Sequence, residues 1–389
     1  MSGNDNQHFK TREVRAGVKP DPVTGAILTP IYQTTTYVQE SVDRYLEKGY
    51  SYSRSGNPTV SALETKITAL EGGVGSLCFA TGMAATSCTI MGLVGSGDHA
   101  ILSDVVYGGT HRVSTKVLNR WGLECSFVDT SDAENIKRAI QENTKLIFTE
   151  TPANPTLKLT DIAAVSKVSQ AAGIPHVVDN TFLTPFYQRP LELGADISLH
   201  STTKFMEGHN VSVGGSITAA KQEHLDQIMF VRNCLGSNMT PMVAFYTLQG
   251  VKTMSTRLEA QSANALKVAQ FLETHPNVDR VCYPGLDSFP QKELADRQAS
   301  GHGSMLWFEV HGGVESGKKL MDSLQLWSLA ENLGSVESLV THSVTMTHAD
   351  MPVEERLAAG ITDGLVRLSA GLEAAEDLIA DLKQALDAL

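Results

Sequence analysis

The chain has 389 residues, 42% of them hydrophobic, and a formal net charge of -12. That length allows two packed domains with a substantial core, while the acidic balance, with no basic stripe to offset it, disfavours nucleic acid and anionic membrane surfaces as partners. Met1 to Lys10 are polar and no run is long and apolar enough to span a bilayer, so a cytoplasmic protein is expected; Cys78, Cys88, Cys125, Cys234 and Cys282 show neither metal-ligand spacing nor a disulfide-rich pattern, so no metal is expected.

Residues 1–58 hold few periodic segments and contain Pro20, Pro22 and Pro30, which suits an extended arm that docks on another subunit. The end of this arm, Tyr50 to Asn57, combines aromatics with Arg54, whose planar fork of donors suits a phosphate. Helix signals begin at Pro58, where Val60, Leu63, Ile67 and Leu70 recur on one face before Gly72-Gly73. From there to about residue 220, strand-like runs alternate with helical patterns, which predicts an α/β fold with a mostly parallel sheet flanked by helices.

Several blocks within that alternation can carry chemistry. Phe79-Ala80-Thr81-Gly82-Met83-Ala84-Ala85 is a small-residue turn opening a helical stretch from Ala84 to Val94, and free amides at such a start can receive an anion. Tyr107 follows the apolar run Ala100 to Leu102, and an aromatic at a strand end can stack on a flat ligand. Ser131-Asp132-Ala133-Glu134 spells a capping box at the start of a crossover helix. Thr151-Pro152-Ala153-Asn154-Pro155 ends the run Lys145 to Phe148 and places an amide at the same sheet edge.

Pro175 to Asn180 is a further apolar run and carries Asp179 at its end, while Asp196 to Lys204 runs into two hydroxyl residues and a lysine. Loops at the strand ends of an open α/β sheet converge on ligands. A lysine there can hold an aldehyde and an upstream acid can pair with a pyridinium nitrogen, which are the two groups that pyridoxal 5′-phosphate requires. On that pattern alone the alternative is a solvated surface lysine. Further on, Thr240 to His275 is helical in pattern and bridges into a smaller C-terminal α/β domain. There Ser304 to Val310 and Gly364 to Ser369 read as strands and Glu376 to Leu389 as an amphipathic helix. The two domains are placed at residues 59–245 and 246–389.

With these blocks in this order and spacing, nearly the whole chain resembles the Cys/Met-metabolism family of pyridoxal-phosphate enzymes, whose signature is matched by Asp196 to Gly208. The resemblance implies an aspartate-aminotransferase-like architecture (fold type I) and pyridoxal 5′-phosphate as cofactor. It implies Lys204 as the Schiff-base lysine and proton carrier, and Asp179 as partner of the ring nitrogen. Tyr107 would stack on the ring and assist departure of the leaving group, and Asn154 would contact the ring hydroxyl. The phosphate would be held by the amides of Gly82 and Met83 and the hydroxyls of Ser201 and Thr203. Tyr52 and Arg54 would reach the phosphate of a neighbouring subunit, in a homotetramer built from dimers that share their sites.

Arg367, in Val366-Arg367-Leu368-Ser369-Ala370-Gly371-Leu372-Glu373, matches the family arginine that clamps the substrate α-carboxylate, the alternative being a rim ion pair. Arg112 falls where members that handle cystathionine place an arginine near the distal end of the substrate. Glu331, in Ala330-Glu331-Asn332-Leu333-Gly334, marks cystathionine γ-synthases and γ-lyases, so the resemblance implies γ-elimination with cystathionine as substrate. The block Thr341 to Ala349 is similar to that of cystathionine γ-lyases and related synthases. Some positions depart from the pattern. Ser51 stands where an acid is common, Asn332 replaces a common serine near the carboxylate site, Asn210-Val211 replace Ser-Asp, and Gly109 occupies the place of a cysteine typical of methionine γ-lyases. The alternatives are a γ-synthase or sulfhydrylase acting on O-acyl-homoserine, a γ-lyase for another homoserine analogue such as canavanine, and a non-catalytic binding protein of the same fold.

Overall fold

The first long helix, Pro58–Glu71, starts where the sequence predicts. Asn57 accepts the Thr59 amide, Pro58 occupies the first turn, and Gly72 at φ 80° stops the helix. Val60, Leu63, Ile67 and Leu70 are all buried. The computed structural model describes residues 7–346, 349 and 353–389. Met1 to Asn6 and part of the block Thr341 to Ala349 thus lie outside the described residues.

Strands β1 (Gly75–Phe79), β2 (His99–Ser103), β3 (Glu124–Val128), β4 (Thr144–Glu150), β5 (His176–Asp179), β6 (Ile197–His200) and β7 (Gly215–Ala219) form one sheet in the order β1-β7-β6-β5-β4-β2-β3. β7 runs antiparallel to β1 and β6 while the other pairs are parallel, so every strand except β7 ends at the same edge. Successive side chains alternate between two apolar layers. Leu102, Leu146 and Phe148 pack with the helices Gly82–Leu93 and Gln222–Leu235, whereas Ile101 and Ile147 pack with Ala133–Ala139 and Ile162–Ala172. Burial of both faces explains why these strands read as continuous apolar runs.

A second sheet, in the order β10-β11-β12-β9-β8, is built from β8 (Val278–Cys282), β9 (Met305–Val310), β10 (Ser328–Leu329), β11 (Leu339–His342) and β12 (Leu365–Ser369). Leu306 and Phe308 pack on helices Met254–Leu272, Gly313–Ser323 and Ala375–Asp387. Met305 and Trp307 face the other way, into a core shared with Leu63 and Phe205 of the larger part and with Leu248, and the Trp307 indole donates to the Thr156 carbonyl at 2.9 Å. Arg367 lies opposite Trp307 in the β12/β9 register and therefore shares this inward face.

Several local features differ from expectation. Asp132, not Ser131, caps the crossover helix: it accepts the Glu134 amide at 3.0 Å, while the Ser131 hydroxyl is bound by Asp129 at 2.6 Å. The segment Thr240 to His275 is two helices, Pro241–Val251 and Met254–Leu272, because the Gly250 carbonyl turns to the Thr253 amide and to Arg257. In the arm, Phe9–Arg15 form an unforeseen helix, which is tied to this chain's own body where buried Glu13 accepts the Ser255 amide at 2.6 Å. Further along, Val23, Val38 and Val42 are 89%, 90% and 92% exposed, so this stretch leaves apolar surface uncovered. Among the described residues no helix is long and apolar enough to cross a membrane.

Gly250 also sets the seat of the loop that follows Lys204, since a Cβ there would stand 2.1 Å from the Glu207 carbonyl oxygen. Gly250→Ala is expected to lower stability by about 1–3 kcal/mol, the usual cost of overpacking. Urea unfolding of the variant checks this, and a wild-type midpoint would show that helix and loop can separate freely.

Candidate active site

The shared strand edge puts unrelated segments side by side. The turn after β1 carries Gly82 and Met83, and the loop after β2 carries Tyr107 and Arg112. The loop after β4 carries Asn154, β5 ends on Asp179, and the loop after β6 carries Ser201, Thr203 and Lys204. From the second sheet come Arg367 on β12 and Glu331 and Asn332 on the loop before β11. All of these residues line a single cavity of about 400 Å³. Tyr52 and Arg54 do not. Arg54 lies over the Tyr52 ring, 5.5 Å from its centroid, and donates to the Asn233 carbonyl at 2.6 Å, away from the cavity of its own chain.

Lys204 and Arg367 are the two cations at the heart of the cavity. Burial, and then the charge of Arg367, push the Lys204 ammonium down to about 8 against the opposing pull of Glu331. Lys204 Nζ donates to Asn332 Oδ1. Arg367 is itself depressed to about 10 by burial, and its donors meet neutral acceptors: Asn154 Oδ1 at 2.8 Å and the Asn332 carbonyl at 3.1 Å. Among the described residues no carboxylate forms an ion pair with it, so the rim-ion-pair alternative is not what the structure holds. A buried guanidinium without a carboxylate is a receptor for one.

Asp179 takes both the amide and the hydroxyl of Thr181 on its Oδ1, at 3.1 and 2.6 Å. Among the described residues its Oδ2 has no hydrogen-bond partner, although burial raises its pKa and argues for one. A ring N–H fits there. The anion cradle is equally specific. Thr81 caps the helix Gly82–Leu93 by accepting the Ala84 amide at 2.9 Å, and among the described residues the amides of Gly82 and Met83 have no partner. A Cβ on Gly82 would stand 2.8 Å from the Ser201 Cβ, so only glycine lets the helix start lie against the strand end that bears Ser201. These residues fit a flat pyridine ring, an aldehyde and a phosphate together.

A family model described as "Cys/Met metabolism PLP-dependent enzyme" matches residues 10–387. The chain belongs to that family. Its cofactor is accordingly pyridoxal 5′-phosphate, and its architecture is that of the fold type I enzymes. Among its relatives, cystathionine gamma-lyase of Bacillus subtilis is 47% identical over 97% of this chain and 99% of its own length. L-methionine gamma-lyase of Treponema denticola is 44% identical over 98% and 97%, and cystathionine beta-lyase of Coxiella burnetii 45% over 99% and 100%. The crystal structure of metB from Corynebacterium glutamicum superposes with a TM-score of 0.94 at 43% identity, covering 99% of both chains.

Thr181 and Glu150 are among the cavity residues that the sequence pattern does not single out. Thr181, which orients Asp179, also accepts the Ser201 amide at 2.9 Å and so joins two strand ends. Glu150 closes β4 beside Asp179. The acidic end of β4 was the available signal, standing directly before the Thr-Pro-Ala-Asn block.

Lys204 must be a free amine to react with the cofactor aldehyde. Loading of the cofactor-free protein should therefore speed up as pH rises through about 8. Replacing Arg367 by Gln removes a cation that disfavours the ammonium, so the midpoint should move upward. Stopped-flow loading rates across pH measure both curves, and a midpoint that stays put or falls in the variant would refute this coupling.

Proposed function

We propose that this family member is a γ-lyase for cystathionine, cleaving the Cγ–S bond to give cysteine, 2-oxobutanoate and ammonia with uptake of one water. The observation that carries the reading is the charge layout of the cavity. Beyond Lys204 and Arg367 it is lined by Glu331 and Arg112, an opposite pair suited to the second amino-acid end of a dipolar substrate. The B. subtilis relative bears this activity by name. Relatives of nearly equal identity are named for β-elimination and for methionine, so likeness alone does not choose between them. Gly109 weighs against the methionine reading, because a Cβ there would lie 2.6 Å from both the Tyr107 ring and Met83 Sδ, so a cysteine would require these side chains to shift.

Each residue has a definite task in this reading. Arg367 binds the α-carboxylate through two donors and fixes the Cα–H direction. The bound cofactor supplies an electron-withdrawing ring that accepts the electron pair left when that bond breaks. Lys204, freed as an amine with a depressed pKa, takes the α-proton at Nζ and can return it to another carbon. Asp179 keeps a proton on the ring nitrogen. The Tyr107 hydroxyl would protonate the departing sulfur, while Gly82, Met83, Ser201 and Thr203 would hold the phosphate. Asn154 would contact the ring hydroxyl, and its Oδ1 accepts from Arg367.

Tyr52 and Arg54 serve the neighbouring subunit's phosphate in this reading. The uncovered apolar arm supports such docking, in a cytoplasmic homotetramer made of dimers with shared sites. The test is subunit mixing. Lys204→Ala and Arg54→Ala chains should each be nearly inactive, yet mixed dimers would contain one intact site and regain up to about a quarter of wild-type activity. Absence of any regain, in dimers shown to have exchanged, would refute the shared site.

Substrate choice is decided by a mass-spectrometric product screen of loaded protein with cystathionine, O-succinyl- and O-acetyl-homoserine, methionine and canavanine, each with and without cysteine. Cysteine and 2-oxobutanoate from cystathionine alone are the expected result. Homocysteine and pyruvate would make it a β-lyase, product requiring added cysteine would make it a synthase, and turnover of canavanine or methionine alone would overturn the substrate assignment.

A further inference from the structure

Glu150 has no task in the reaction just described, yet it lines the cavity and is only 6% exposed. It stands directly opposite Asp179 in the β4/β5 register, so two carboxylates project from neighbouring strands toward one face. Such placement is costly. Burial pushes the Glu150 carboxyl up, the charge of Asp179 adds to this, and only the amides of Tyr107 and Asn154 oppose it. A glutamine would fill the same volume without the charge.

A carboxylate differs from a glutamine amide in offering two acceptor atoms and no donor. Here the two oxygens serve different loops. Oε2 accepts the Tyr107 amide at 2.7 Å, and Oε1 accepts the Asn154 amide at 3.0 Å. Tyr107 belongs to the loop after β2, and this contact ties its backbone to the sheet edge. Asn154 in turn accepts from Arg367 at 2.8 Å. One buried side chain thus ties the backbones of Tyr107 and Asn154 together, and the Asn154 side chain carries the link on to Arg367.

We propose that Glu150 is a positioning residue whose two carboxylate oxygens set the gap between Tyr107 and Asn154 in which the cofactor ring is held, and through Asn154 the aim of Arg367. This inference rests on the roles given above to Tyr107, Asn154 and Arg367. The competing account is that Glu150 acts through charge alone, by tuning Asp179. The two accounts diverge for Glu150→Gln. If only charge matters, removing it relieves Asp179 and cofactor binding stays equal or tightens. If position matters, the glutamine NH₂ must face a backbone N–H, one loop is released, and binding weakens.

The experiment titrates pyridoxal 5′-phosphate into cofactor-free wild-type protein, Glu150→Gln and Glu150→Asp. It follows the dissociation constant and the visible circular dichroism of the bound cofactor, which reports how rigidly the ring is held. Both variants should bind about tenfold or more weakly, as expected for losing a hydrogen bond to a charged group, with a dichroic band reduced several-fold. Wild-type affinity and band in Glu150→Gln, or tighter binding, would overturn the proposal. Amide hydrogen exchange of cofactor-free wild-type protein decides the matter if a variant fails to fold: the Tyr107 and Asn154 amides should both be protected, and rapid exchange at either would overturn the proposal. Failure of the wild-type protein itself to bind the cofactor would instead refute the site assignment.

Discussion

Arg367 reaches from the smaller sheet into the cavity that holds Lys204 of the larger one, and burial together with the repulsion between them keeps the lysine reactive. A lysine in water would be an ammonium at neutral pH, unable to attack an aldehyde or accept a proton. Desolvation lowers that barrier and the guanidinium lowers it further. The acceptors around Arg367 follow from the same requirement: an amide oxygen and a carbonyl satisfy its donors without cancelling its charge. A carboxylate in either place would quench the field that acts on Lys204 and occupy the substrate's own seat.

The scaffold must therefore hold two positive groups from different sheets at a fixed separation. It does so by joining the loops behind them. The Gly208 amide bonds back to the Lys204 carbonyl at 2.8 Å, and the Gly208 carbonyl accepts the Val336 amide at 2.8 Å. Gly334, at φ 80°, lies so close to Phe205 that a Cβ would stand 2.7 Å from its backbone nitrogen. The loop bearing Glu331 and Asn332 is thus seated directly on the loop bearing Lys204. Beneath both, Phe205, Trp307 and Leu248 belong to one apolar core, so motion of one sheet relative to the other would disturb packing as well as charge.

Long apolar runs and the punctuated helix after Pro58 were legible in the sequence because each has a local physical cause. Apolar runs became strands because both sheet faces are covered, and the helix from Pro58 followed its proline, its periodic apolar face and its closing glycines. Cavity residues were legible because parallel strands end at one edge, so residues such as Asp179 and Lys204 needed no long-range information to be placed together. Features that depend on a distant partner were not legible. The helix Phe9–Arg15 is secured by Glu13 reaching Ser255, a contact 242 residues away in sequence. The break before Met254 depends on Arg257 taking the Gly250 carbonyl, and the purpose of Glu150 appears only when Tyr107 is brought to its oxygen.

Two of the departures from the family pattern prove to be a single feature. Asn332 accepts from Lys204 through Oδ1 and donates through Nδ2 to Asn210 Oδ1 at 2.6 Å, while Asn210 donates to Glu337 at 2.8 Å. Asn210 sits at φ 56°, a left-handed conformation in which asparagine is enriched. A serine at 332 could meet the lysine, but its short hydroxyl could not also span to Asn210. The amide does both, and its partner at 210 fixes which end faces the lysine. The acceptor offered to Lys204 is consequently neutral and fixed in direction. It can hold the amine without raising its pKa as a carboxylate would, so the paired substitution preserves the condition on which the chemistry of Lys204 depends.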